Sequence, residues 1–242
     1  MRKILDNISL YFSFLKVSLK EILIYIIDCV VGIFSQLVVQ LVSLIFIFVV
    51  FRHTENIAGW NFYQILLLYG VTRIPIGIAG YCFDGLYDIG PKYIKNGDFD
   101  KILLRPVHPL ISIIGNSREF VSIADLFIGF GITIWMLIKL TVPITALLII
   151  KIVFFSIVGA FIVGAINTIF SISSFWTYRS NEVIWSFYKM YTFTEYPITI
   201  YNKFIRFLIT VLLPFACVAI VLWIIAIKLW NLALNKYRST GT

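Results

Sequence analysis

The chain has 242 residues, of which 60% are hydrophobic and 13% charged, and its formal net charge is +8. Soluble domains carry roughly twice that charged fraction, so a water-soluble globule is excluded. Several apolar runs reach the about 20 residues that a helix needs to cross a bilayer, and none alternates as a barrel strand would; the expected class is an all-α membrane protein.

Residues 1–20 place Ile4, Leu5, Ile8, Tyr11, Phe12, Leu15 and Leu19 on one helical face, with Arg2, Asp6, Ser9, Ser13, Lys16 and Lys20 opposite. This pattern predicts an amphipathic helix lying on the membrane, basic side toward the headgroups. The plainer reading is a polar start to the first span. Asp6, Lys16 and Glu21 interrupt the apolar core that a cleaved signal would require.

The first span is expected over 22–51, with Asp28, Gln36 and Gln40 inside it. The second covers 60–83 and contains Arg73 and Pro75. A polar, basic, turn-rich island follows over 84–119. The third span covers 120–137, with Asp125 near its start, and a turn at 139–143 leads into a long fourth span at 144–175. The moderately apolar run 181–196 reads as a fifth span sheltered by other helices. Pro197 and Pro214 bracket 197–213, read as short helices near the far surface that do not cross, and 215–232 is the last span. Six spans in one domain, 1–242, is the expected architecture.

Charge placement supports this topology. With the N-terminus in the cytosol, thirteen lysines and arginines fall in inner segments, against four outside (Arg52, Lys139, Lys203 and Arg206). That satisfies the positive-inside rule. Five spans would put the basic C-terminus outside. The positive charge therefore reads as cytoplasmic loops, and no nucleic-acid motif accompanies it.

Chemistry-bearing motifs are few. There is no G-x-x-x-x-G-K-(S/T) phosphate loop, no H-E-x-x-H, no G-x-S-x-G, and His53 and His108 are the two histidines. Cys29, Cys82 and Cys217 show no metal-ligand spacing and read as buried free thiols. Asp84 and Asp88, four apart on one helical face, could hold magnesium against a lipid diphosphate, with Asp98 and Asp100 nearby. The bland alternative is that they end the second span among interfacial waters. Asp28, Arg73, Asp125, Lys151, Lys189 and Glu195 lie in or near spans, where each must face protein, water or headgroups. Arg73 is the most deeply placed; it could pair with Asp28 or bind an anionic substrate group.

The island has its own mechanical logic. Pro91 suits the first turn of a short helix. Gly97 suits the left-handed residue that stops it, and Asp98 could cap the next turn. Pro106 biases Arg105 away from helix, and Pro109 ends the segment. The expectation is a short rigid helix between turns that carries Lys92, Lys95 and Lys101.

The run from Gly97 to Leu110, GDFDKILLRPVHPL, resembles the G-x-(L/F)-D-x-x-L-L-(R/K)-P-x-x-P-L signature of ABC-2-type transporter permeases. The segments YPITIYNKFIR at 196–206 and LLPF at 212–215 are similar to a second motif of that branch, with Asn202 where a proline is commoner. The resemblance covers most of the chain from about residue 20. It implies a six-helix permease that works as a dimer, with itself or a related permease, and two cytosolic ATPase subunits that carry ATP and magnesium. It implies that the loop after span two is a coupling helix seated in the ATPase, with Lys95, Asn96, Gly97, Asp98, Asp100 and Arg105 at the matching positions. The expected protein is a plasma-membrane exporter subunit without catalysis of its own, both termini cytoplasmic. Two other readings stay open: a membrane enzyme acting on lipid diphosphates through Asp84 and Asp88, and a non-transporting scaffold subunit. Cargo, and homodimer against heterodimer, are not legible.

Overall fold

The computed structural model describes residues 24–116, 120–177, 186, 197–200, 202 and 216–237. The expected amphipathic helix at 1–20, the fifth span at 181–196 and most of 197–213 lie outside them. Within the last stretch, a short 3-10 turn spans Ile198–Ile200 behind buried Pro197.

Five helical runs are long and apolar enough to cross a bilayer: Ile26–His53, Phe62–Ile94, Phe120–Lys139, Ala146–Trp176 and Cys217–Lys236. Within and between them the chain forms α1 (Ile26–His53), α2 (Phe62–Phe83), α3 (Asp98–Leu103), α4 (Pro109–Asn116), α5 (Ile123–Lys139), α6 (Ala146–Ser171), α7 (Ser174–Thr177) and α8 (Ala216–Lys236). Local chemistry explains the starts. Asn61 and Gln64 form a reciprocal capping box at the head of α2, with bonds of 2.9 and 3.0 Å. Thr145 accepts from the Leu148 N–H at 3.3 Å and opens α6 after the turn that Pro143 imposes.

The closest packing joins α2 to α5. A Cβ built on Gly70 would lie 2.9 Å from the Thr133 nitrogen, and one on Gly77 2.9 Å from the Leu126 nitrogen. A Cβ on Gly129 would meet the Gly70 carbonyl at 3.0 Å. Only glycine lets the two backbones approach this closely, which is the usual device where lipid supplies no hydrophobic drive. The pairs Gly70 with Thr133, Gly77 with Leu126 and Gly80 with Ser122 fix an antiparallel register.

The remaining helices keep consistent directions. Gly32 packs on Val121 and Gln36 reaches Asp125, so α1 runs parallel to α5. Gly159 packs on Pro75 and Gly164 on Phe83, so α6 runs parallel to α2. Trp223 Nε1 donates to the Phe161 carbonyl at 2.9 Å, while Trp230 meets Phe175 with ring centroids 5.4 Å apart, so α8 runs parallel to α6. The C-terminal ends of α2, α6 and α8 therefore gather on one side.

The thiols differ from expectation. Cys29 and Cys82 are half-buried and Cys217 is exposed. All three are free, as expected, but none is fully buried; Cys82 packs against the core that holds the island.

Candidate functional site

The basic island is not a solvated loop. After α2 the chain continues through a 3-10 turn (Asp84–Leu86) and a π-helical turn (Ile89–Ile94) into α3 and α4. Its apolar side is packed as in a soluble core: Leu86, Ile89, Ile94 and Phe99 are essentially fully buried. Phe99 is the anchor. Its ring lies 5.3 Å from that of Phe175 and 4.9 Å from that of Tyr237, and Phe175 in turn meets Trp230. Tyr237 donates to Asp100 Oδ1 at 3.2 Å. Phe175 of α7 and Tyr237, the residue after α8, thus grip α3.

The turn chemistry appears as expected at Pro91 and Gly97. Pro91 lies in the first turn of its helix, where its missing N–H breaks no bond. Gly97 has φ +73°, and nothing lies within 4 Å of a Cβ built there, so its requirement is purely conformational. Asp98 departs from the expectation. Gly97 itself is the cap and makes no side-chain bond, which leaves Asp98 as the first helical residue. Its carboxylate therefore reaches one turn forward to Lys101, at 2.6 Å. Asp98 and Asp100 both stand in the first turn of α3, where negative charge complements the helix dipole. Pro109 also differs: it does not end the segment but opens α4, the position where proline fits best.

The outer face of the island presents Lys92, Lys95, Asn96, Leu103, Leu104 and Arg105, all exposed. Leu104 is 87% exposed, the most exposed of the large apolar side chains among the described residues. Arg105 Nη1 donates to Ser112 Oγ at 3.1 Å, so the guanidinium is held against α4. Of the six positions carried from the signature, Lys95, Asn96 and Arg105 face outward, Gly97 sets the backbone, and Asp98 and Asp100 bond within the chain. Leu103 and Leu104 were not singled out in the sequence because a leucine pair after a helical run reads as core.

Asp84 and Asp88 do not share a site. Ser122 Oγ donates to Asp84 Oδ2 at 3.4 Å, whereas Asp88 pairs with Lys92 at 3.7 Å on the surface. Among the described residues no group of three or more His, Cys, Asp or Glu side chains could hold a metal ion.

The second polar site lies inside the bundle, and it corrects the expected pairing of Arg73 with Asp28. Arg73 Nη1 lies 3.6 Å from Asp125 Oδ1, with side-chain exposures of 10% and 3%. Asp28, in the first turn of α1, is exposed. The reason is rotational: Gly77 and Gly129 bring α2 and α5 together with Arg73 and Asp125 on the facing sides, and Asp28 points away. Gln36 Nε2 donates to Asp125 Oδ2 at 2.9 Å, Gln40 Nε2 donates to Asp125 Oδ1, and the Tyr69 hydroxyl donates to Gln40 Oε1. The Arg73 guanidinium lies 4.7 Å from the centre of the Tyr69 ring. A charged pair in the membrane is thus neutralised internally and fully enclosed by protein groups, as its placement demands. Two glutamines four apart in an otherwise apolar helix were the available signal for this cluster.

Among curated proteins and among solved structures, none matches the chain. The family model described as ABC-2 family transporter protein matches residues 37–221. That match takes in α1 from its second third, the island, α5, α6 and the start of α8, and with five bilayer-length helices it places the chain in the membrane. The chain belongs to the ABC-2 transporter family as a multi-pass membrane protein.

Proposed function

We propose that this protein is the permease subunit of an ATP-driven ABC-2-type exporter and that the island is its coupling element. It forms half of a dimer, with itself or a related permease. Two separate cytosolic ATPase subunits bind ATP and magnesium, and their closure pushes on the island. The cargo is amphipathic or hydrophobic. The protein resides in the plasma membrane as one domain, 1–242, with six spans and both termini in the cytosol.

The observation that carries this reading is the docking of the island. Phe99 is locked between Phe175 and Tyr237, so a push on α3 is transmitted to α7, just past α6, and to the end of α8 at once. A floppy loop would absorb the same push. Helix direction supports the six-span count. Because α6 and α8 run the same way, a further crossing between them, the fifth of the six spans, fits the helix directions. The bias of basic residues toward the island's side supports a cytosolic orientation. Contact with the ATPase falls to Lys95, Asn96, Leu104 and Arg105, with Gly97, Asp98 and Asp100 holding the backbone that presents them.

The test is co-purification with the cognate ATPase. Leu104→Asp with Arg105→Ala leaves every span intact and is expected to lower ATPase capture at least tenfold, about the effect of losing one interface hot spot. Normal capture and normal stimulation of hydrolysis by that variant would remove the island as the coupling element. Orientation is checked independently in a cysteine-free background. Asn96→Cys should be shielded from an impermeant thiol reagent in intact cells, and Thr141→Cys should be labelled.

A further inference from the structure

The Arg73–Asp125 cluster has a feature that charge neutralisation alone does not require: it is shared with a helix that otherwise barely touches the bundle. Gln40 and Ile47 are the buried residues of α1. The contact runs along one narrow stripe. Gly32 packs on Val121, Gln36 and Gln40 bond Asp125, and Ile47 joins an apolar cluster with Ile65, Leu66, Tyr69 and Met136. The apolar parts of this stripe discriminate poorly between heights, because leucine, isoleucine and lipid tails are interchangeable neighbours in a membrane. A hydrogen bond to an enclosed carboxylate discriminates sharply, because a slip of one turn would bring one glutamine to the place of the other and leave the displaced glutamine and one Asp125 oxygen unsatisfied in hydrocarbon.

We propose that Asp125 is the positioning residue of α1: held by Arg73 on the rigid α2/α5 pair, its carboxylate is the socket into which Gln36 and Gln40 fit, and it sets the height and rotation of the first span. Buried polar groups that specify register, at no net gain in stability, are the best-attested use of such clusters. The consequence is a separation of two roles. Removing the cluster as a unit should change where α1 sits more than how stably the bundle folds. Removing half of it should do both, because a bare charge remains.

Gly32 and Val121 provide the reporter. A Cβ built on Gly32 lies 3.8 Å from Val121 Cβ, about the mean separation of ~3.8 Å in a disulfide. In a background carrying Cys29→Ala, Cys82→Ala and Cys217→Ala, the pair Gly32→Cys/Val121→Cys should oxidise rapidly in membranes. Adding Arg73→Leu with Asp125→Leu should slow oxidation by about tenfold, the population shift of losing one hydrogen bond to a charged group. The melting temperature should stay within about 3 °C of the parent. Unchanged oxidation would overturn the proposal, and so would a lowered melting temperature with unchanged oxidation, because the cluster would then only stabilise. If the double leucine variant does not fold, Gln36→Leu with Gln40→Leu decides. It keeps the Arg73–Asp125 pair and makes α1 more apolar, so insertion is favoured. Oxidation slowed by a similar factor supports the socket; parental oxidation overturns it.

Discussion

The first two spans are built in opposite ways. In α1 only 11% of the best apolar window is buried, whereas in Phe62–Ile94 the share is 56%, although α1 is the more apolar of the two. In water the order would be reversed. Lipid is as apolar as leucine, so the greasiest helix gains nothing by leaving it. The helix that enters the protein centre is the one with glycines for close approach and polar groups that need partners. In α2 these are Gly70, Gly77, Gly80, Tyr69 and Arg73, all buried. In α1 they are Gln36 and Gln40, and the contact narrows to that stripe. The contrast teaches that hydropathy locates a span, while its small and polar exceptions locate its neighbours.

The largest expected effect is on the α2/α5 side. Arg73→Ala strands the Asp125 carboxylate among buried groups and should destabilise the protein by about 3–5 kcal/mol, read as thermal unfolding in detergent. Adding Asp125→Asn should recover much of that loss, and adding Asp28→Asn should recover none. Recovery by Asp28→Asn instead would undo the helix rotation described for α1. Next in size is Phe99→Ala, about 3–4 kcal/mol from the cavity it leaves among Phe175, Tyr237 and the island core. Its signature should be local, with proteolysis at the island rising before the spans unfold.

Glycine substitutions then compare the two interfaces directly. Gly77→Ala drives a Cβ to 2.9 Å from a backbone nitrogen of α5, which cannot swing aside, and should cost about 2 kcal/mol. Gly32→Ala meets the end of the Val121 side chain, which can change rotamer, and should cost less than about 1 kcal/mol. Equal losses at the two positions would mean that α1 is packed as rigidly as α5. The smallest effect tests the island turn. Gly97→Asn should be nearly silent and Gly97→Val should lose roughly 1 kcal/mol, since the site has room for a side chain but a left-handed backbone that favours glycine and tolerates asparagine.

Much of this was legible in the chain. Span positions follow from twenty-residue apolar runs, and the structure places α1, α2, α5, α6 and α8 within a few residues of 22–51, 60–83, 120–137, 144–175 and 215–232. Gly97 as a left-handed stop and Pro91 in a first turn were legible because they are properties of single residues. The island's docking was not. Its alternation of basic and apolar residues fits a solvated loop until Phe175, Trp230 and Tyr237, more than seventy residues away, supply the surface that buries Phe99.

What the sequence by itself determined is therefore whatever depends on one segment and its solvent: the apolar spans and the turns, together with the family, whose match runs over residues 37–221. What only the tertiary structure decided is which polar groups meet. Arg73 pairs with Asp125 and not Asp28, and Asp100 turns inward to Tyr237 while Leu104 turns outward. The physical reason lies in the lipid. A soluble helix must keep polar residues on its wet side, so its sequence shows which face is buried. A span is apolar on every side, so its rotation is set by the few glycines and polar groups that find counterparts on another helix.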